Sequence, residues 1–193
     1  MKKGIALLLA ALLLLLCSCT GGEPERKGES EARTAENALV VYFSHNDCIE
    51  EAAQYLAKTV GAEIAPIVPK KAYPEDEKEL AARAAKELAE NERPKIAKPD
   101  ADPDDFDIIF IGYPLWENTV PMPVMTFLEQ KSVKEKAVCV FTVNEDGKTG
   151  DSMQAIADAW KYSQITDKFA FRDNDFEKWT PVFEGWFSKA LFW

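Results

Sequence analysis

Histidine is almost missing from this sequence. His45 is the one imidazole in 193 residues, so a His-rich metal centre has no ligands to draw on and a Ser-His-Asp triad finds no support. Cysteine is nearly as scarce. There are four, and two of them, Cys17 and Cys19, fall close together near the start. Of the remaining pair, Cys139 lies in an apolar run and Cys48 in an expected loop, so no bridge between them is expected. Basic charge is also short: 23 Lys and Arg stand against 33 Asp and Glu, a formal net charge of −10. That balance excludes the basic footprint nucleic-acid binding needs. It suits solubility, or docking to a basic protein partner. Long apolar runs are absent too. The longest, Ile5 to Leu16, falls short of the roughly 20 residues a membrane-spanning helix requires. No internal repeat is visible.

What surrounds that run is informative. Lys2 and Lys3 precede it, and Leu16-Cys17-Ser18-Cys19 follows, with the small Ser18 just before Cys19. This is similar to a bacterial lipoprotein signal with Cys19 as the lipidated residue; an ordinary secretory signal is the other reading. On the first, residues 1–18 are removed and 19–37, rich in Gly, Glu, Ser, Arg, Lys and Thr, form a disordered tether. The protein is then extracytoplasmic and held to a bacterial membrane through its lipid anchor alone. Residues 38–193 form the folded domain.

Within that domain short apolar runs alternate with amphipathic stretches. Ala38–Ser44, Ala62–Val68, Ile108–Ile111, Ala137–Val143 and Ile165–Phe171 read as strands, with Pro66 and Pro69 pushing the second to an edge. Helical spacing marks Ile49–Val60, Pro74–Glu92, Val120–Glu129, Ser152–Trp160 and Asp175–Leu191, the last with Phe176, Trp179, Phe183, Trp186 and Leu191 facing inward. Continuous apolar strands alternating with helices call for a parallel sheet buried on both faces: an α/β, three-layer, doubly wound sandwich.

Gly112-Tyr113-Pro114-Leu115-Trp116, followed by Thr119-Val120-Pro121-Met122-Pro123, resembles a central motif of the flavodoxin-like family, and Val40-Val41-Tyr42-Phe43-Ser44 resembles its opening strand. The likeness spans about Ala38 to Trp193 and implies a five-stranded sheet of order 2-1-3-4-5. It also implies non-covalently bound FMN, electron or hydride transfer, and three ligand loops at the carboxyl ends of strands one, three and four. By that resemblance Ser44 and Asn46 would hold the phosphate. Pro114, Leu115, Trp116, Glu117, Asn118, Thr119, Asn144 and Gly147 would flank the ring, with Trp116 either stacking on it or covering the helix–sheet seam.

The first loop departs from the family pattern. Ser44-His45-Asn46-Asp47-Cys48-Ile49 lacks the family's glycine and final threonine, and Asp47 and Glu50 have the spacing of a capping box. A carboxylate on the leading amides of that helix competes with a phosphate for them. Cys48, at a helix start beside an imidazole, could be a reactive thiol or an inert small residue. His45 reads as a solvated loop residue, and no side chain stands out as a general acid or base. Three functions are consistent with these residues. The first is an FMN-binding electron-transfer protein working with a redox partner. The second is a flavodoxin-like module that has lost FMN and serves as a binding or scaffold domain. The third is an FMN-dependent oxidoreductase acting on a quinone or a nicotinamide.

Overall fold

The computed structural model describes residues 37–45, 47–131, 133–172 and 176–190. The leader, the tether and Cys19 lie outside these residues, as do Asn46 and Leu191. Five strands, β1 (Ala38–Tyr42), β2 (Glu63–Pro66), β3 (Ile108–Pro114), β4 (Ala137–Val143) and β5 (Gln164–Phe171), alternate with five helices. The helices are α1 (Asp47–Val60), α2 (Glu77–Ala89), α3 (Met122–Gln130), α4 (Ser152–Ala159) and α5 (Phe176–Ala190). All four strand pairings are parallel and the order is β2-β1-β3-β4-β5, as expected.

Every residue of β1, β3 and β4 is buried, which is why these strands read as unbroken apolar runs and not as alternating ones. The period of two divides their side chains between two cores. Val40, Phe110 and Phe141 face α1 and α5, meeting Leu56, Phe183 and Trp186. Val41, Ile111 and Val140 face the other layer, meeting Val124, Phe127 and Ile156. Each fully buried side chain of this size contributes about 1.5–3 kcal/mol of transfer free energy. The short β2 takes the edge, where the missing N–H of Pro66 disturbs no central ladder.

β5 carries an irregularity that its sequence hides. Ile165 pairs with Val138 and Asp167 with Cys139, so Thr166 is an extra residue. The bulge reverses the parity of the strand: Ile165 packs into the core of α3 and α4, whereas Phe169 and Phe171 pack into that of α1 and α5. The Thr166 hydroxyl lies 3.1 Å from Cys139 Sγ.

Several expected boundaries move. β1 stops at Tyr42, although Phe43 N still donates to Gly112 O at 2.9 Å. β3 runs on to Pro114. α2 starts late because Asp76 caps it, accepting from the amides of Lys78 and Glu79 at 3.0 Å each. α3 begins at Met122, after Pro121. Cys48 is not in a loop: it sits in the first turn of α1, 2% exposed, in the same core as Cys139. Burial pushes the Cys139 thiol up to about 11. On α5, Phe176, Phe183 and Trp186 are buried as expected and Phe187 joins them, while Trp179 is half-buried.

One close approach organises the centre. A Cβ on Gly112 would fall 2.2–2.9 Å from three ring atoms of Phe141, the neighbouring residue on β4. The Phe141 ring therefore occupies the place of a side chain on β3. Gly112→Ala is expected to cost about 1–3 kcal/mol through overpacking. Gly185→Ala, on α5 where a Cβ meets nothing within 4 Å, should raise stability by about 0.5–1 kcal/mol. Urea midpoints at unchanged m-values check both.

Candidate functional site

β1 and β3 are neighbours, but the chain leaving β1 travels to β2 on one side and the chain leaving β3 travels to β4 on the other. Their carboxyl ends therefore open a crevice, the place where ligands sit in open α/β sheets. Residues 43–45, 114–119 and 144–151 surround it.

The central loop is closed on itself. Trp116 N donates to Thr119 O at 3.2 Å and Thr119 N to Trp116 O at 2.8 Å. Glu117 and Asn118 between them have φ of 47° and 60°. Positive φ at both central residues defines a type I′ turn, natural for asparagine and strained for glutamate. Leu115 N is bonded to Val143 O at 3.0 Å. The amides of Leu115, Trp116 and Thr119 are thus engaged within the protein, while Glu117 is exposed to solvent.

Trp116 is half-buried in a cluster of edge contacts. Its ring centroid lies 4.9 Å from Tyr73, 5.2 Å from Phe43 and 6.0 Å from His45, at interplanar angles of 68°, 87° and 73°. His45 lies in the loop as expected and is half-buried, with Tyr73 and Trp116 standing edge-on along one side of its ring. Tyr73 carries no motif; its signal in the sequence is an aromatic beside a proline in an otherwise charged stretch. Its ring is covered by the Arg83 guanidinium, 3.7 Å from the centroid, and its hydroxyl donates to the buried Glu87. Burial and then that carboxylate hold the Tyr73 hydroxyl well above its ordinary pKa.

The loop after β4 is built around Asn144. Its Oδ1 accepts from the amides of Asp146, Gly147 and Lys148 at 3.1, 2.7 and 3.2 Å, and its Nδ2 donates to Lys148 O. Asn144 thus supports the loop from within. Gly147 takes φ 68° there. A hydrogen bond from Lys148 holds the Asp146 carboxyl below its usual value.

The two ring-side loops are fastened together through Asn118. Asp151 N donates to Asn118 O at 2.8 Å, and Asn118 Nδ2 donates to Asp151 Oδ2 at 3.2 Å. Gly150, at φ 49°, makes room: a Cβ there would lie 2.3 Å from Asn118 O. Beneath the clasp Tyr113 is fully buried, its hydroxyl close to the Ser152 side chain. Burial raises its pKa.

On the β1 side, Ser44 is half-buried, Asn46 falls outside the described residues, and the side chain of Asp47 is not described. The Glu50 half of the expected capping box has other partners. Its Oε1 accepts from Tyr42 OH at 3.3 Å and from Gln54 Nε2 at 2.9 Å. Burial, then Glu50, raises the Tyr42 pKa. Among the described residues no group of His, Cys, Asp and Glu could hold a metal ion, and no helix is long and apolar enough to cross a membrane.

A family model described as flavodoxin matches residues 37–173. No curated protein matches the chain. Among solved structures, a protein assigned as a flavoprotein from Bacteroides eggerthii is similar at 26% identity, covering 76% of this chain and 97% of that one, with a TM-score of 0.61. One from Bacteroides uniformis gives 22%, 75%, 97% and 0.62 for the same measures. A Lactobacillus acidophilus flavoprotein in complex with FMN gives 19%, 75%, 98% and 0.59. At those identities the last two share the fold.

Two substitutions test the clasp. Gly150→Ala combines a left-handed backbone with a clash against a carbonyl and should cost more than about 2 kcal/mol. Glu117→Gly relieves the turn and should raise stability by up to about 1 kcal/mol. Chemical denaturation reads both, and hydrogen exchange at Asp151 N should speed up in Gly150→Ala.

Proposed function

The chain belongs to the flavodoxin family, and from that premise we propose that it binds FMN at the β1–β3 crevice and works as an exported, lipid-anchored electron-transfer protein. The observation that carries this reading is the half-buried Trp116 of the β3 loop packed edge-on against Phe43 and His45 of the β1 loop, with the β4 loop fastened to the same turn through Asn118. The flavin ring lies against residues 114–119 and 144–150. The phosphate is held by Ser44, Asn46 and the leading amides of α1.

The residues present are compatible with that cofactor. Glu50 Oε1 accepts from Tyr42 and Gln54, and the leading amides of the 14-residue α1 are the donors that a phosphate would take. Trp116 brings a large apolar ring to the crevice. When bound, the flavin supplies the electron chemistry, and the protein's part is to hold and tune it. Glu117, exposed at the tip of the turn, sets a carboxylate beside the ring and so disfavours an anionic reduced state, lowering the potential. The acidic surface suits a basic redox protein as partner. Cys19 ties the domain to a bacterial membrane from outside the cytoplasm.

A second reading, a module that keeps the fold without the flavin, is favoured by the clasp. The turn at 116–119 and its bonds to Asp151 satisfy one another within the protein.

Thermal melting with added FMN separates the two. Flavin binding should stabilise the protein by about 2.7 kcal/mol at a hundredfold excess over Kd. Trp116→Ala should weaken binding by at least about tenfold, or ~1.4 kcal/mol, and much more than His45→Ala. A melting curve unmoved by FMN selects the second reading.

A further inference from the structure

The net charge of the chain is −10, yet it contains a basic concavity away from the crevice. A cavity of about 390 Å³ opens between α2 and the segments that follow β2 and α2. Five cationic side chains line it, those of Lys70, Lys71, Arg83, Lys86 and Lys95, against the carboxylates of Glu87 and Glu92. We propose that this cavity is a binding site for a small molecule carrying a di- or triphosphate group.

The frame is built before any ligand arrives. Lys70 N donates to Lys95 O at 2.8 Å and Ala97 N to Val68 O at 2.7 Å, so the two lysine-bearing segments are joined as a short antiparallel bridge at Pro69 and Ile96. Arg83 donates to Ala72 O at 2.7 Å and Lys71 O at 3.3 Å, and Thr126 donates to Pro94 O at 3.0 Å. A wall fixed by backbone bonds loses little freedom on binding.

The charges sort into two kinds. Arg83 and Glu87 neutralise each other at 2.8 Å, with side chains 18% and 5% exposed, and belong to the wall. Lys86 is held loosely, 3.6 Å from both Glu90 and Glu92, all three well exposed. Lys70, Lys71 and Lys95 have no ion pair among the described residues. What remains for a ligand is a set of ammonium groups and no unspent guanidinium. Arginine suits planar carboxylates through its fork, whereas lysines act as point charges suited to the distributed charge of a phosphate chain. The volume, at the lower end of the range for small-molecule sites, exceeds what a single phosphate fills. Arg83 also ties this wall to the crevice, since it covers Tyr73, which packs on Trp116.

Calorimetric titration of the whole protein with tripolyphosphate, orthophosphate and vesicles of mixed neutral and anionic lipid tests the assignment. The expected result is saturable one-to-one binding of tripolyphosphate, tighter than orthophosphate. Lys70→Glu/Lys95→Glu should weaken it at least about tenfold, while Lys189→Glu, on α5, should leave it unchanged. On the unaltered protein, saturating tripolyphosphate should slow acetylation of Lys70, Lys71 and Lys95 but not of Lys189. Absence of saturable binding, equal loss in the Lys189 variant, uniform acetylation, or binding to anionic vesicles alone would each overturn it.

Discussion

Three central strands with no polar face set the terms for everything else in this protein. Because β1, β3 and β4 are buried at every position, neither side of the sheet can meet water, and helices must cover both. Parallel pairing then forces each connection to cross over, so all five strands end at the same edge. The crevice between β1 and β3 follows from that topology before any particular residue is placed in it. The Phe141 ring lying over Gly112 shows how tightly the middle is fitted once the layers are set.

The sequence was most legible where burial is two-sided. Ala137–Val143 is an unbroken apolar run and is a strand with those bounds; the alternation of helices and strands gives the layers, and the motif around Gly112–Trp116 gives the order. Legibility drops where a residue's role depends on partners far along the chain. Nothing local to His45 tells that Tyr73 and Trp116 will wall it in. The Asp47 and Glu50 spacing marks where α1 begins, but nothing near Cys48 says that the helix turns its thiol into the core. The parity change in β5 is invisible because an extra Thr166 costs no pattern that a single strand displays; it needs the partner strand's register. The crevice was legible as a place, and its internal wiring was not: Asn118 and Asn144 are residue types suited to ligand contact and equally suited to holding loops, and here both hold loops.

Charge is arranged as unevenly as polarity. The β1 side of the crevice presents Glu50 and Glu51, and the turn after β3 presents Glu117, whereas the lysines of the β2 side gather in a concavity. Arg83 stands between these regions, salt-bridged to Glu87 on one side and lying on Tyr73 on the other. A side chain with both commitments transmits position more than charge, because its own charge is already compensated.

The bulge in β5 gives that strand a double allegiance. Its first half belongs to one layer of the sandwich and its second half to the other, so the polypeptide acts as a stitch drawn through the sheet. Loops usually absorb changes in chain length because nothing downstream depends on their phase. At Thr166 the phase is the structure: loss of one residue would move Phe169 and Phe171 together from the α1 and α5 layer to the opposite face, placing a reading-frame-like constraint on an edge strand where length would otherwise be free to drift.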